Sequence, residues 1–241
     1  MPAAPVTKRA VSYGGIMAQH TDQRYEEELG TLRQHILEMG GLVERQIGDA
    51  SNSLATADRV LAERTIERDH EVNRYDVEID DECLRLLALH QPAAGDLRFI
   101  TTALKITTDL ERIGDMAVNI CERTIDLSGS GFELLVDLPR MSTLVQKALR
   151  GSLDAFVRGD PEFALQVCQE DDEIDDLHAA MFREVLDKIR DDGNLVVPGL
   201  AQLFVSKYLE RIADHATNIA EMVIFMVKGE SIRHIALPDS I

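Results

Sequence analysis

The sequence predicts an all-α protein, two tandem antiparallel three-helix bundles related by internal duplication. Three observations predict it: apolar residues recur at alternating three- and four-residue steps over long stretches, strand signals are nearly absent, and one segment occurs twice.

The periodicity sets the helices in order. Tyr25, Leu29, Leu32, Ile36, Met39, Val43, Ile47, Ala50 and Leu54 form one stripe, so a long amphipathic helix runs from about Thr21. Gly40 and Gly41 in its middle each weaken it by about 1 kcal/mol relative to Ala and mark a place for a bend. Asp58 is placed to N-cap a second helix carrying Ile66, Val72, Ile79, Leu86 and Leu87, which Pro92 closes. A third starts at Pro92 and Ala93, where the missing N–H of proline does no harm, and reaches Leu127. Gly129, Ser130 and Gly131 then form a linker. The second half repeats the scheme: a helix from about Pro139 to Arg158, another capped by Asp160 ahead of Pro161, and a third from about Pro198 to Lys228. Six helices with short connections fold back as antiparallel neighbours. The expected organisation is a mobile extension over 1–20, a first bundle over 21–128, a second over 132–229 and a tail over 230–241.

Strands find no support. Aromatic residues are only 5% of the chain, β-branched residues sit inside helical periods, and Asp192-Gly193 lies between two helical patterns instead of alternating runs.

Charge narrows the function. Forty-three acidic against twenty-five basic residues give a net charge of -18, which repels nucleic-acid phosphates and anionic headgroups and suits cations or basic protein surfaces. Cys83, Cys121 and Cys168 show no CxxC spacing and read as reduced core residues. The most apolar run, Ile219 to Val227, is interrupted by Glu221 and is shorter than the ~18–20 residues needed to span a bilayer. Lys8 and Arg9 are followed by no apolar stretch of the kind a signal peptide requires, so a cytoplasmic location is expected, without membrane insertion.

The repeated segment carries the chemistry. Leu110-Glu-Arg-Ile-Gly-Asp-Met-Ala-Val-Asn-Ile-Cys-Glu122 and Leu209-Glu-Arg-Ile-Ala-Asp-His-Ala-Thr-Asn-Ile-Ala-Glu221 agree at nine of thirteen positions. Glu111, Asp115, Asn119 and Glu122 in the first copy, and Glu210, Asp214, Asn218 and Glu221 in the second, fall within an arc of roughly 80° at about 100° per residue. That arc is centred opposite the stripe of Leu110, Ile113, Ala117 and Ile120, so the acids face away from the core. Carboxylates four apart repel by ~0.2–0.5 kcal/mol per pair. An ordinary solvated face would interleave Lys or Arg, and here Arg112 and Arg211 lie only at the edge, each placed to brace the Asp three residues on.

Oxygen ligands at i, i+4 and i+8 suit a divalent or trivalent cation completed by water or by acids of the second helix of each half. Asp69, Glu71 and Asp76 are candidates in one half, and Asp171, Asp172, Glu173, Asp175 and Asp176 in the other. A single E-x-x-x-D pair is usually a solubilising face; two copies in equivalent places favour metal. All-oxygen ligation fits Mg²⁺, Mn²⁺ or Ca²⁺, whereas iron prefers some His. His215 is matched by Met116 and reads as an accessory residue, not a symmetric ligand. Two other readings remain open. A di-iron carboxylate oxidase needs an E-x-x-H on two helices; Glu67-x-x-His70 is one match, and Asp175-x-x-His178 is not its repeat equivalent. A metal-free helical adaptor would dock a basic partner on the acidic faces. No G-x-S-x-G, Gly-rich phosphate loop or H-E-x-x-H is present, so no enzyme is expected.

These residues resemble the PhoU family over nearly all of 21–228. Asp69-His-Glu-Val-Asn73, His90-Gln-Pro-Ala-Ala-Gly-Asp-Leu-Arg98 and Glu111-Arg-Ile-Gly-Asp115 look like that family's segments in the first half, and Glu210-Arg-Ile-Ala-Asp214-His-Ala-Thr-Asn218 looks like its second copy. Asp191-Asp-Gly-Asn194 replaces the Gln-Pro-bearing turn, and the segment before His20 is longer than the family pattern. The resemblance implies a cytoplasmic accessory protein of the phosphate ABC transporter, a negative regulator of phosphate uptake and of the phosphate-starvation response. It implies the transporter ATPase and a phosphate-sensing histidine kinase as partners, and a homodimer. It also implies metal ions (iron, zinc, magnesium or manganese) at Glu111, Asp115, Asn119, Glu210, Asp214 and Asn218.

Overall fold

A computed structural model describes residues 14–128 and 133–230. The described residues form seven α-helices and one short 3₁₀ turn, with no strand among them: α1 (Gly14–Thr56), α2 (Arg59–Leu89), α3 (Ala94–Leu127), α4 (Leu138–Arg158), α5 (Pro161–Gln169), α6 (Asp171–Asp191), the turn at Gly193–Leu195, and α7 (Val196–Lys228). Helix α1 therefore begins ahead of Thr21, and residues 14–20 are helical where an extension was expected. The remainder of that extension, the linker at 129–131 and most of the tail from 230 lie outside the described residues.

The capping chemistry forms as the sequence dictates. Asp58 Oδ1 accepts from Leu61 N–H at 3.0 Å, Asp137 Oδ1 from Arg140 N–H at 3.1 Å, and Asp160 Oδ1 from Phe163 N–H at 3.0 Å. Such caps are worth about 1 kcal/mol each. Gly159 and Gly229 end α4 and α7 in the left-handed conformation. The helix expected after Asp160 is in fact two, because the axis restarts at Glu170. Neither Gly nor Pro causes that break. Asp171, Asp172 and Glu173 crowd the first turn of α6, where the positive end of a helix dipole favours them.

Gly40 and Gly41 produce no interruption, and α1 runs through them as one helix. A Cβ on Gly40 would lie 2.5 Å from Leu153 Cδ1, so this position is small to let α4 approach α1. That contact joins the halves, as does the more extensive packing of α3 against α7. Helices α1, α2 and α3 make one bundle and α4, α5–α6 and α7 the other, and one continuous core runs through both. Gln202, fully buried on α7, ties the connection between them down: its Oε1 accepts from Leu135 N–H at 2.7 Å and its Nε2 donates to Glu133 O at 3.0 Å.

Candidate functional site

Each acidic face runs along a seam between two helices, with Asp115, Asp175 and Asp214 exposed and Glu111, Glu210 and Asp171 half-buried. In the first half α2 flanks the α3 motif. Gly114 makes this possible: a Cβ there would lie 3.2 Å from Gln46 Oε1 and 3.3 Å from Asp69 Oδ1, so α2 settles Asp69 onto α3 beside Asp115. Gln46 Nε2 donates to Asp69 Oδ1 at 3.0 Å and Asn73 Nδ2 to Asp69 Oδ2 at 2.9 Å, which fixes that carboxylate. Burial pushes Glu111 above the usual carboxylate range, and Asp115, Asp76 and Asp69 add to the rise while Arg112 opposes it. Burial and Asp69 likewise raise Asp115. Asp115 shows surface to solvent, yet it stands in a groove walled by α2, where its hydration shell is incomplete.

The α6–α7 seam repeats the arrangement with larger shifts. Asp171 is pushed up to about 7 by burial first, and then by Asp175, Asp214 and Asp172. Asp175 rises through burial, Glu210 and Asp172, and Asp214 through burial, Glu210 and Asp175. Lys207 opposes both shifts and donates to Glu210 Oε1 at 2.6 Å. Burial and these acidic neighbours keep a proton on Asp171 at a pH where an isolated carboxylate has lost it.

Of the six residues the sequence singled out, Glu111 and Asp115, and Glu210 and Asp214, join these seams with Asp69 and Asp171 as the facing partners. Asn119 and Asn218 lie farther along the same helix faces, half-buried, and neither bonds a carboxylate among the described residues. Among those residues no group of three His, Cys, Asp or Glu side chains could hold a metal ion as placed. The donor set is all oxygen, the ligand type that hard cations prefer, with Arg112 beside the first seam and Lys207 paired to Glu210 in the second.

Some expectations are corrected. Arg112 Nε stands 3.7 Å from Glu111 and does not bond Asp115, because adjacent residues on α3 leave the guanidinium nearer its neighbour. His70 Nδ1 meets the backbone oxygen of Glu67 on its own helix, and His178 Nδ1 meets Ser206 Oγ at 3.1 Å. His215 Nδ1 meets Asp109 Oδ1 at 2.7 Å, a hydrogen-bond contact between α7 and α3 that joins the halves. Sequence reasoning missed that pair and Lys207. The available signal was Asp109 itself, an acid on the buried side of α3 beside Thr107 and Leu110.

A PhoU domain profile matches residues 36–124 and again residues 138–223. The chain belongs to the PhoU family. It is 41% identical over 223 residues to the phosphate-specific transport system accessory protein PhoU homolog of Pseudomonas aeruginosa, covering 92% of each chain. It is 35% identical over 218 residues to the phosphate-specific transport system accessory protein PhoU of Escherichia coli, covering 90% of each. The crystal structure of PhoU from Pseudomonas aeruginosa superposes with a TM-score of 0.83 at 41% identity, over 86% of this chain and 100% of that one. The phosphate transport system regulatory protein PhoU from Streptococcus pneumoniae gives 0.81 at 31% identity, over 88% and 100%. Both PhoU domains of this chain carry one acidic seam, on α3 in the first match and α7 in the second.

Proposed function

We propose that this chain is the accessory protein of a phosphate-specific transport system. It acts in the cytoplasm as a negative regulator of phosphate uptake and of the phosphate-starvation response, and links the transport ATPase to a sensor histidine kinase. The observation that carries this reading is the likeness to the Pseudomonas aeruginosa accessory protein along 92% of both chains. No helix among the described residues is long and apolar enough to cross a membrane, which suits a protein that meets the transporter from outside the bilayer.

The protein works by contact, not catalysis, and as a homodimer. Cations of the magnesium, manganese, iron or zinc type bind at Glu111, Asp115 and Asn119, and at Glu210, Asp214 and Asn218, with Asp69 and Asp171 supplying the facing oxygens. Bound cations neutralise the seams and so present two rigid surfaces to partners, and exchange of partners regulates. The supporting physics is the raised pKa of Glu111, Asp115, Asp171 and Asp214, pushed up first by burial and then by neighbouring carboxylates.

Deleting the protein in its own cell should derepress phosphate-starvation genes while phosphate is abundant; normal repression in the deletion strain rejects the regulatory reading. Metal analysis of purified protein should find stoichiometric cation that Asp115→Ala and Asp214→Ala each reduce. Absence of metal in all three proteins rejects the cation reading alone.

A further inference from the structure

Because one scaffold is built twice, each half is a control for the other. Superposing the repeat places Glu111 on Glu210, and placing Asp69 on Asp171 brings the buried Val72, Ile79 and Cys83 onto the buried Ile174, Met181 and Val185. In this register the second half exposes Phe182 at 46%, Leu186 at 46%, Val197 at 72%, Leu200 at 46% and Phe204 at 55%. The first half has Asp80, Leu84, Arg98, Thr101 and Lys105 at those positions. Four of the five are polar or charged there, so the fold does not require apolar side chains at this level of the bundle.

These side chains share one outer surface. Helices α6 and α7 run antiparallel across the Gly193–Leu195 turn, with Ser206 beside His178 and Gly199 against Val185 and Ile189. Phe182 and Leu186 are one turn apart on α6, and Val197, Leu200 and Phe204 follow three- and four-residue steps on α7. The helical period puts Asp171 and Asp175 on the same side of α6, and Glu210 and Asp214 on the same side of α7, farther from the turn. Leu200 and Asp214 are fourteen residues apart, about 21 Å at the helical rise. The surface is therefore apolar at the turn end and acidic at the other.

We infer that the outer face of the α6–α7 hairpin docks an amphipathic helix of a partner protein, with leucine-like side chains on Phe182, Leu186, Leu200 and Phe204 and lysines or arginines over the acidic end. Charge selects this occupant. A second copy would set the same carboxylates, on chains of net charge -18, against each other, and anionic lipid would meet the same repulsion. A helix lying in an apolar groove with basic residues beside acids satisfies both ends at once. The inference deepens the accessory-protein reading by giving the chemistry of one partner contact, and its charged half applies to the seam free of cation, the state that the chelator in the test below sets.

The probe is a fluorescein-labelled eighteen-residue helical peptide with leucines at i, i+3, i+4 and i+7 in one half and lysines in the other. Anisotropy is measured with the full chain in chelator, so failure of the cation reading does not enter. The variant F182D/L200T/F204K installs the first half's own residues, which this scaffold already accepts, and leaves net charge unchanged. The expected result is saturable binding that this variant weakens at least tenfold, while Leu84→Ser with Leu97→Ser in the first half changes it less than twofold. Binding by the triple variant within twofold of the parent overturns the proposal, as does equal weakening by the first-half pair. A shift of the triple variant in sedimentation equilibrium, assigning the face to a second copy, also overturns it. So does binding of the parent chain, lost in the variant, to phosphatidylglycerol vesicles. Circular dichroism and the thermal midpoint verify that the variants fold; should the triple variant unfold, Leu200→Thr alone carries the same comparison with a threefold loss expected.

Discussion

The two halves of this molecule share a motif and differ in how they balance its charge. In the first, Asp69, Glu111 and Asp115 share a seam, Arg112 is the one cation opposing the rise of Glu111 and of Asp115, and the position matching Lys207 is Thr108. In the second, Asp171 is pushed up to about 7 by burial and then by Asp175, Asp214 and Asp172, and Lys207 is bound to Glu210. Duplication preserved the acids and left their counter-charges free to diverge. The acidic face is thus the common requirement, and its electrostatic tuning is particular to each half.

The halves also differ in what anchors them, and this yields the largest expected effect. Gln202 satisfies two backbone groups of the connection, where the first half has Ala103. Gln202→Ala should cost about 2–4 kcal/mol, from the cavity and the unpaired backbone groups, read as a lower denaturation midpoint. An unchanged midpoint would mean that the connection holds by other contacts.

Protons test the crowding next. Because the folded pKa of Asp171 lies above its unfolded value, the folded state holds the extra proton, and stability falls as pH rises from about 4 through about 7. Solvent screening reduces the effect to on the order of 1–2 kcal/mol. Chemical denaturation of chelated protein at pH 5, 6.5 and 8 should show that slope, and Asp171→Asn should flatten it. The first-half Asp69→Asn should leave the slope in place, which keeps the contrast between halves measurable.

Lys207→Gln should raise Asp175 and Asp214 further and lower stability by about 0.5–1 kcal/mol at neutral pH. Carboxyl-carbon NMR titration reads both shifts, and Thr108→Lys should produce the opposite movement at Glu111 and Asp115. The smallest effect is expected where the halves differ on the surface: Leu200→Thr and Phe204→Lys should change stability by less than about 0.5 kcal/mol. A larger loss would place those residues in the core after all.

Much of this was legible in the residues. The stripe from Leu32 to Leu54 is fully buried or nearly so, Asp58 and Asp160 cap the helices they precede, and the E-x-x-x-D faces turn from the core as their period requires. The break at Glu170 was not, since the three acids after it read equally well as helix interior and as a first turn. The pairing of Asp109 with His215 was hidden because it joins residues of different bundles, and no local period encodes which helices meet. Gly114 could be read as a flaw in a helix; its purpose, admitting Asp69, needs the neighbour's position.

Helix α3 is packed on α1, α2 and α7 at once, and α7 in turn covers it with the apolar side that Ile212, Ala216 and Ile219 belong to. Neither repeat can therefore be a free-standing unit: severed at the connection, each would leave a greasy flank on its central helix bare to water. Mixed together, the severed pieces should find each other and rebuild the whole. A single-repeat forebear of such a protein would have solved the same problem by pairing with its twin about a twofold axis.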